Sequence, residues 1–318
     1  MLTALRRTRR ALVTTHKHPD VDGISSALAL GWGLKRFGAE VQVVSPGGVP
    51  HEAAFLPGVE SLVPSPSGRF DTAIFVDCPS MERAGLEPGA VAGAIRLNID
   101  HHETNALYGD VNYVRPSMAA SAQLVLRLLM ALGLAVNPQV ATWLLAGLYG
   151  DTQGLRTAST DLRALRDATA LVEAGADAAV VARGIFGSLL HGQLRLWGRV
   201  LAGVEECNGI TWATIDRAAW AEAGVPEGED GGLANFLLGT QGTAVAALFQ
   251  ESSDGRVRVS LRSNPGVDVA AVAARFGGGG HRQAAGCTLE MSLEEARGAV
   301  IASLKRALHE SRRGVTAG

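Results

Sequence analysis

Histidine and aspartate recur at four places in this chain, each where an apolar run stops. The first is His16-Lys17-His18-Pro19-Asp20-Val21-Asp22-Gly23, lying between a strand-like run at 11–15 and a helical run that starts near Ile24. Asp20 and Asp22 are two residues apart, so in extended chain they point to the same side, and Pro19 stiffens the turn that brings His16 toward them. Asp77 closes the apolar run 72–76, Asp100-His101-His102 closes 94–99, and Asp151 follows the helical run 143–149 at a helix exit. Alone, an Asp before a helix reads equally well as an N-cap. Together, carboxylates and imidazoles gathered at successive strand ends would repel and be costly to desolvate unless something compensates them, and metal ions compensate all of them at once. A mixed Asp/His set without thiolates suits Mn²⁺, Mg²⁺ or Co²⁺ better than a structural zinc.

The elements that must hold these residues alternate. Strand-like runs at 11–15, 41–45, 72–77 and 94–100 are interleaved with helical runs at 24–37 and 119–132. That order predicts an α/β fold: a parallel sheet with helices on both faces, its strands apolar throughout and their C-terminal ends lining the site. Helical patterns continue at 139–148, 161–173 and 176–186, and 189–204 suits a linker helix. The pattern then resets to strand-like 209–216, 243–250 and 256–262, a helix, four glycines at 277–280 and a final helix at 293–309. Two domains are expected, 1–187 and a smaller α/β domain at 205–318, joined by a linker helix at 188–204, with the site in the cleft between them.

Composition narrows the partners. At 318 residues, 47% hydrophobic and 19% charged, the chain reads as globular. No apolar run approaches the roughly 18 to 20 residues of a membrane span, and the N-terminus has no apolar stretch of the kind signal peptides carry, so a cytoplasmic location is expected. Cys78, Cys207 and Cys287 form no CxxC pair and are odd in number, which fits thiols in a reducing compartment. A net charge of −2 gives no basic surface for long duplex nucleic acid, so any nucleotide ligand should be short and gripped locally.

THKHPDVDG, FVDCPS, NIDHH and YGDTQG resemble, in order and spacing, the four metal-site motifs of the DHH phosphoesterase superfamily, and GGGGHRQAAG resembles the hallmark of the DHH-associated C-terminal domain. The resemblance spans nearly the whole chain and is greatest to nano-RNases of the NrnA type, which also hydrolyse 3′-phosphoadenosine 5′-phosphate. It implies two divalent cations, Mn²⁺ foremost. His16 and Asp20 would bind one, Asp22, His101 and Asp151 the other, and Asp77 both, with His102 left for catalysis. Gln153 and Leu155 stand where many relatives have Gly and Phe, and Ser25 where Gly is usual; these departures bear on base recognition, not on metal binding.

Two cations close together lower the pKa of a water between them enough to supply hydroxide near neutral pH. His102 is placed to donate to the leaving oxygen and Asp100 to orient the neighbouring imidazoles. Arg262 and the run Gly278, Gly279, Gly280 and His281 suit a phosphate: the guanidinium offers a bidentate fork, and successive glycines let backbone N–H groups approach an anion. Short oligonucleotides and 3′-phosphoadenosine 5′-phosphate are the expected substrates. The alternatives are a cyclic or linear dinucleotide phosphodiesterase and, in another class, a nucleotide-binding module without catalysis; retention of every ligand type and of His102 disfavours the module. Inorganic pyrophosphate fits the glycine-rich signature less well. The oligomeric state is open, a homodimer included. His51, His191 and His309 read as ordinary histidines, His18 equally as turn packing or substrate contact, and Trp32, Trp143 and Trp197 as core.

Overall fold

Five parallel strands organise the first part of the chain: β1 (Arg10–Thr14), β2 (Glu40–Val44), β3 (Thr72–Val76), β4 (Ile95–Asp100) and β5 (Val111–Val114), in the spatial order β2-β1-β3-β4-β5. The structure, a computed structural model, describes residues 1–87, 89–187 and 189–315; Ser188, where the linker was expected to start, and residues 316–318 lie outside the described residues. In this strand order the chain reverses direction between β1 and β3, and such a switch point opens a crevice beyond the strands' C-terminal ends. His16 and Asp77 lie immediately past those two ends.

Helices α1 (Leu2–Arg7), α2 (Val21–Lys35), α3 (Ser121–Ala131), α4 (Pro138–Thr152), α5 (Leu162–Glu173) and α6 (Ala178–Phe186) complete this unit. Alternate residues Ala11, Val13, Ile74, Val76, Leu97 and Ile99 face one core with α2, α3 and α4. The opposite face carries Leu12, Ala73 and Phe75. It is covered by loop residues such as Phe70, Leu86 and Tyr108 and by the 3₁₀ turn Glu82–Ala84, in place of the α-helical layer expected there. Helix α2 is apolar or small on every side and is buried on every side, as a helix without a polar face must be. Its first turn therefore delivers Asp22 to a position with no solvent exposure.

A second unit, Leu189–Gly318 by its contacts, has its own sheet and cores. Helix α7 (His191–Leu201) buries Leu196 and Val200 there. Strands β6 (Glu205–Cys207), β7 (Ile210–Ile215), β8 (Val245–Glu251), β9 (Val257–Ser263), β10 (Gly279–His281) and β11 (Ala284–Leu289) form a mixed sheet, ordered β10-β11-β9-β8-β7-β6, in which β7 and β8 alone run parallel. Helices α10 (Val269–Ala274) and α11 (Leu293–Val315) pack on one face. On the other, α7, α8 (Arg217–Ala223) and α9 (Leu233–Leu238) cover β7 and β8. No described helix is long and apolar enough to cross a membrane.

Candidate metal centre

Strand β1 ends at Thr14 and the chain reaches α2 through His16 and Asp20. Asp20 is the N-cap of α2, its Oδ1 accepting from Gly23 N at 2.9 Å. Its Oδ2 points elsewhere, 3.7 Å from His16 Nε2. The cap and ligand readings of Asp20 thus use different oxygens of one carboxylate. Gly23 has a packing reason: a Cβ there would run into the Thr15 hydroxyl.

Asp77 follows β3 with φ 54°, a left-handed conformation that Asp tolerates better than most residues. Asp151 sits in the last turn of α4, which is stopped by three successive left-handed residues, Gln153 (φ 50°), Gly154 (φ 71°) and Leu155 (φ 67°). A carboxylate at a helix C-terminus faces the negative end of the helix dipole, so Asp151 is stable there only beside positive charge.

The six expected ligands fall into two groups. One donor atom each from His16, Asp20 and Asp77 lie within 4.8 Å of one another, and so do donors from Asp22, His101 and Asp151. Asp77 faces both: its Oδ2 is 3.6 Å from His16 Nε2, and its Oδ1 is 3.5 Å from His101 Nε2. His101 Nε2 meets Asp151 Oδ2 at 3.0 Å. Separations of 3.5 to 3.7 Å exceed a hydrogen bond. They approach the spacing of two donors on one cation, about 3.0 to 3.4 Å for metal–donor distances near 2.1 Å. The oxygen-rich, thiol-free donor set suits hard divalent cations, so these residues fit such ions at both groups.

Electrostatics show what the groups lack without a cation. Burial pushes Asp22 well above the usual carboxylate range, and the Asp77 and Asp151 charges push it further. Burial likewise lifts Asp151 to about 6, against the pull of His101. Burial alone would lower His16, but Asp20 and Asp77 overcome it and hold the imidazole at about 10; His101 is raised in the same way by Asp151 and Asp77. Asp77 goes the other way, held well below its ordinary value by His101 and His16 in spite of its burial.

Cation binding at pH 7 should expel protons, those of His16 and His101 among them, measurable by calorimetric titration in buffers of different ionisation enthalpy. Buffer-independent heats would refute this protonation pattern. The metal-free protein has a matching pH dependence. His16 has a folded pKa of about 10 against an ordinary 6.5, so its contribution to stability is complete below 6.5 and is lost as pH rises toward 10.

Asp100, fully buried, accepts from His102 Nδ1 at 2.8 Å and from His101 N at 2.9 Å through Oδ1, while Asn105 donates to its Oδ2 at 2.6 Å. Through the first of these bonds it holds the ring of His102. The His101 ring is held by the Met118 carbonyl, 3.2 Å from Nδ1. Asn105 and Met118 were not legible as site residues, and neither was Gly147. A Cβ at Gly147 would lie 2.5 Å from Asp22 Oδ1, 2.6 Å from Ser25 Oγ and 2.8 Å from Ala122 Cβ. Gly147→Ala should therefore displace Asp22, cost about 1 to 3 kcal/mol of stability and weaken cation binding, as thermal denaturation with and without Mn²⁺ would register.

In the second unit Arg262, on β9, and His281, the last residue of β10, both pair with Ala284 of β11. Laterally paired residues share a sheet face, so Arg262 and His281 flank a small side chain and stand roughly 10 Å apart. Gly279, Gly286 and Ser260 continue that face in register, beyond the half of the sheet that α7, α8 and α9 cover. Arg262 Nε donates to Asn235 Oδ1 at 2.7 Å, and burial lowers its pKa. The glycine run is partly strand, not loop. Gly278 and Gly280 are needed because a Cβ at either would collide with the β11 backbone, whereas at Gly279 it would meet nothing within 4 Å.

Residues 10–148 match the N-terminal domain of the DHH family and residues 213–310 the DHHA1 domain. The bifunctional oligoribonuclease and PAP phosphatase NrnA of Thermus thermophilus is 33% identical over 305 residues, covering 93% of this chain and 89% of that protein. The NrnA of Bacillus subtilis is 23% identical over 284 residues. Among solved structures, an exopolyphosphatase-related protein from Bacteroides fragilis superposes with a TM-score of 0.88 at 20% identity, covering 98% of this chain and 96% of that one. Matched in both domains and aligned with one such relative along nearly its whole length, the chain belongs to the DHH family of phosphoesterases, hydrolases of phosphate ester bonds.

Proposed function

We propose that this phosphoesterase hydrolyses short oligonucleotides and 3′-phosphoadenosine 5′-phosphate with two divalent cations, Mn²⁺ foremost. The observation that carries the two-cation reading is Asp77, which turns one oxygen to the His16 group and the other to the His101 group. The substrate reading is supported by the similarity to NrnA of Thermus thermophilus. His16 and Asp20 would hold one cation, Asp22, His101 and Asp151 the other, and Asp77 both. Bound there, the cations supply Lewis-acid stabilisation of phosphoryl charge and a water of lowered pKa.

The chain's own residues do the rest. With Nδ1 donating to Asp100 Oδ1, proton exchange with the substrate falls to Nε2, which as part of the imidazolium would give its proton to the leaving oxygen and leave the ring neutral. Asp100, fixed by Asn105, holds that ring in one orientation. Arg262, Gly278, Gly279, Gly280 and His281 are proposed to grip a terminal phosphate or the backbone, with Gly279 leaving open the approach to peptide N–H groups. Cys78, Cys207 and Cys287 are all free, which supports a reducing, cytoplasmic setting.

The test is Mn²⁺-dependent hydrolysis of a matched panel: short RNA and DNA oligomers, 3′-phosphoadenosine 5′-phosphate, linear and cyclic dinucleotides, and pyrophosphate. Fastest turnover of short RNA together with release of the 3′-phosphate is the expected result. Preference for a cyclic dinucleotide would move the protein into second-messenger turnover, and binding without turnover would make it a nucleotide-binding module.

A further inference from the structure

The segment 118–122, Met-Ala-Ala-Ser-Ala, contains no expected metal ligand and belongs to none of the four motifs, yet it touches ligands from three of them. Besides the Met118 carbonyl that holds His101, Ser121 N donates to Asp22 Oδ2 at 2.6 Å and Ala122 N donates to Asp22 Oδ1 at 2.9 Å. Ser121 Oγ donates to Asp77 Oδ1 at 3.1 Å. Ser121 is the first residue of α3 and is completely buried. The N-cap of that helix, Ala120, has no side chain able to accept, so Asp22 satisfies two orphan N–H groups from another helix. Ser121 is thus in contact with the carboxylate that faces both groups and with a ligand expected for only one of them.

We propose that Ser121 is a positioning residue of the metal centre, its hydroxyl setting the rotation of the Asp77 carboxylate while its N–H holds Asp22. The inference rests on the two-cation reading above. A carboxylate turns easily about its Cβ–Cγ bond, and Asp77 serves two groups only when its plane turns one oxygen to His101 and the other to His16. A hydroxyl donor to the oxygen on the His101 side selects that plane. Partners of this kind, which bind the ligand and not the metal, are typically worth about 10- to 100-fold in metal affinity or activity.

The backbone half of the arrangement survives side-chain replacement, so S121A removes the Oγ bond while Asp22 still caps α3. The experiment compares wild type with S121A and S121C; the cysteine is somewhat larger than serine, so it leaves no cavity, but it donates only weakly. For each protein, stripped with a chelator, the thermal midpoint is recorded first, then Mn²⁺ affinity by calorimetric titration, then kcat and KM with a short RNA oligomer. Both variants are expected to stay close to the wild-type metal-free midpoint, to bind Mn²⁺ about 10- to 100-fold more weakly and to lose kcat more than KM. Affinity within about threefold of wild type in either variant overturns the assignment, because neither keeps a strong donor. Should S121A not fold, S121C carries the comparison. A wild type that binds no Mn²⁺ overturns the metal reading itself, and this inference with it.

Discussion

Asp77→Asn is expected to cost at least about 10³-fold in kcat, the equivalent of several kcal/mol of transition-state charge stabilisation. The choice of asparagine matters. Asp77 holds a left-handed backbone at φ 54°, which Asn adopts about as well as Asp, so the fold should survive where bulkier residues would add strain. What is removed is one anionic oxygen at the point where His16 and His101 approach from opposite sides. Metal content of the purified variant should fall with its activity, and both are measured on one preparation. A variant that retains two Mn²⁺ per chain and wild-type turnover would overturn the assignment of Asp77 to both groups.

His102→Ala separates chemistry from metal binding. General acid catalysis contributes typically about 10²- to 10⁴-fold, and a loss of that size in kcat is expected with Mn²⁺ affinity nearly unchanged. His101→Ala should lose affinity, because its Nε2 lies within 3.5 Å of two expected ligands. Asp100→Asn should resemble His102→Ala in milder form, since Oδ1 no longer holds the Nδ1 proton with full charge. Equal Mn²⁺ loss in the two histidine variants would refute the division of labour between neighbouring residues.

The parts of the fold legible in the sequence were those with a strong pattern. Strands β1, β3 and β4 are short apolar runs ending in Asp or His, and all lie within a residue or two of where the pattern puts them. Strand β5, Val-Asn-Tyr-Val, went unread because it is half-exposed and too short to show a period. Strands β10 and β11 were hidden by the glycines, which signal a loop in sequence but here allow two backbones to approach closely. Helices α8 and α9, of seven and six residues, complete at most two turns and so carry little periodic signal.

Within the site, the proposed ligands were readable because their side chains carry the chemistry. Their supports were not. Met118 acts through a carbonyl that every residue possesses, Gly147 through an atom it lacks, and Ser121 sits at a helix start where serine is unremarkable in any sequence. Asp20 gave two readings, cap and ligand, and only the separate directions of its oxygens showed them to be compatible.

Asp22 accepts two N–H groups of α3, and His101 Nε2 meets Asp151 Oδ2 at 3.0 Å, so both groups are tied together by protein–protein contacts. On the two-cation proposal, loss of metal would be an exchange of ions for protons within a standing frame, unlike the collapse of a small zinc domain on chelation. A protein built this way can be emptied and refilled without passing through the unfolded chain. Its activity would follow the free-cation level of its surroundings on the timescale of ligand exchange, and acidification would compete with that supply at the same atoms.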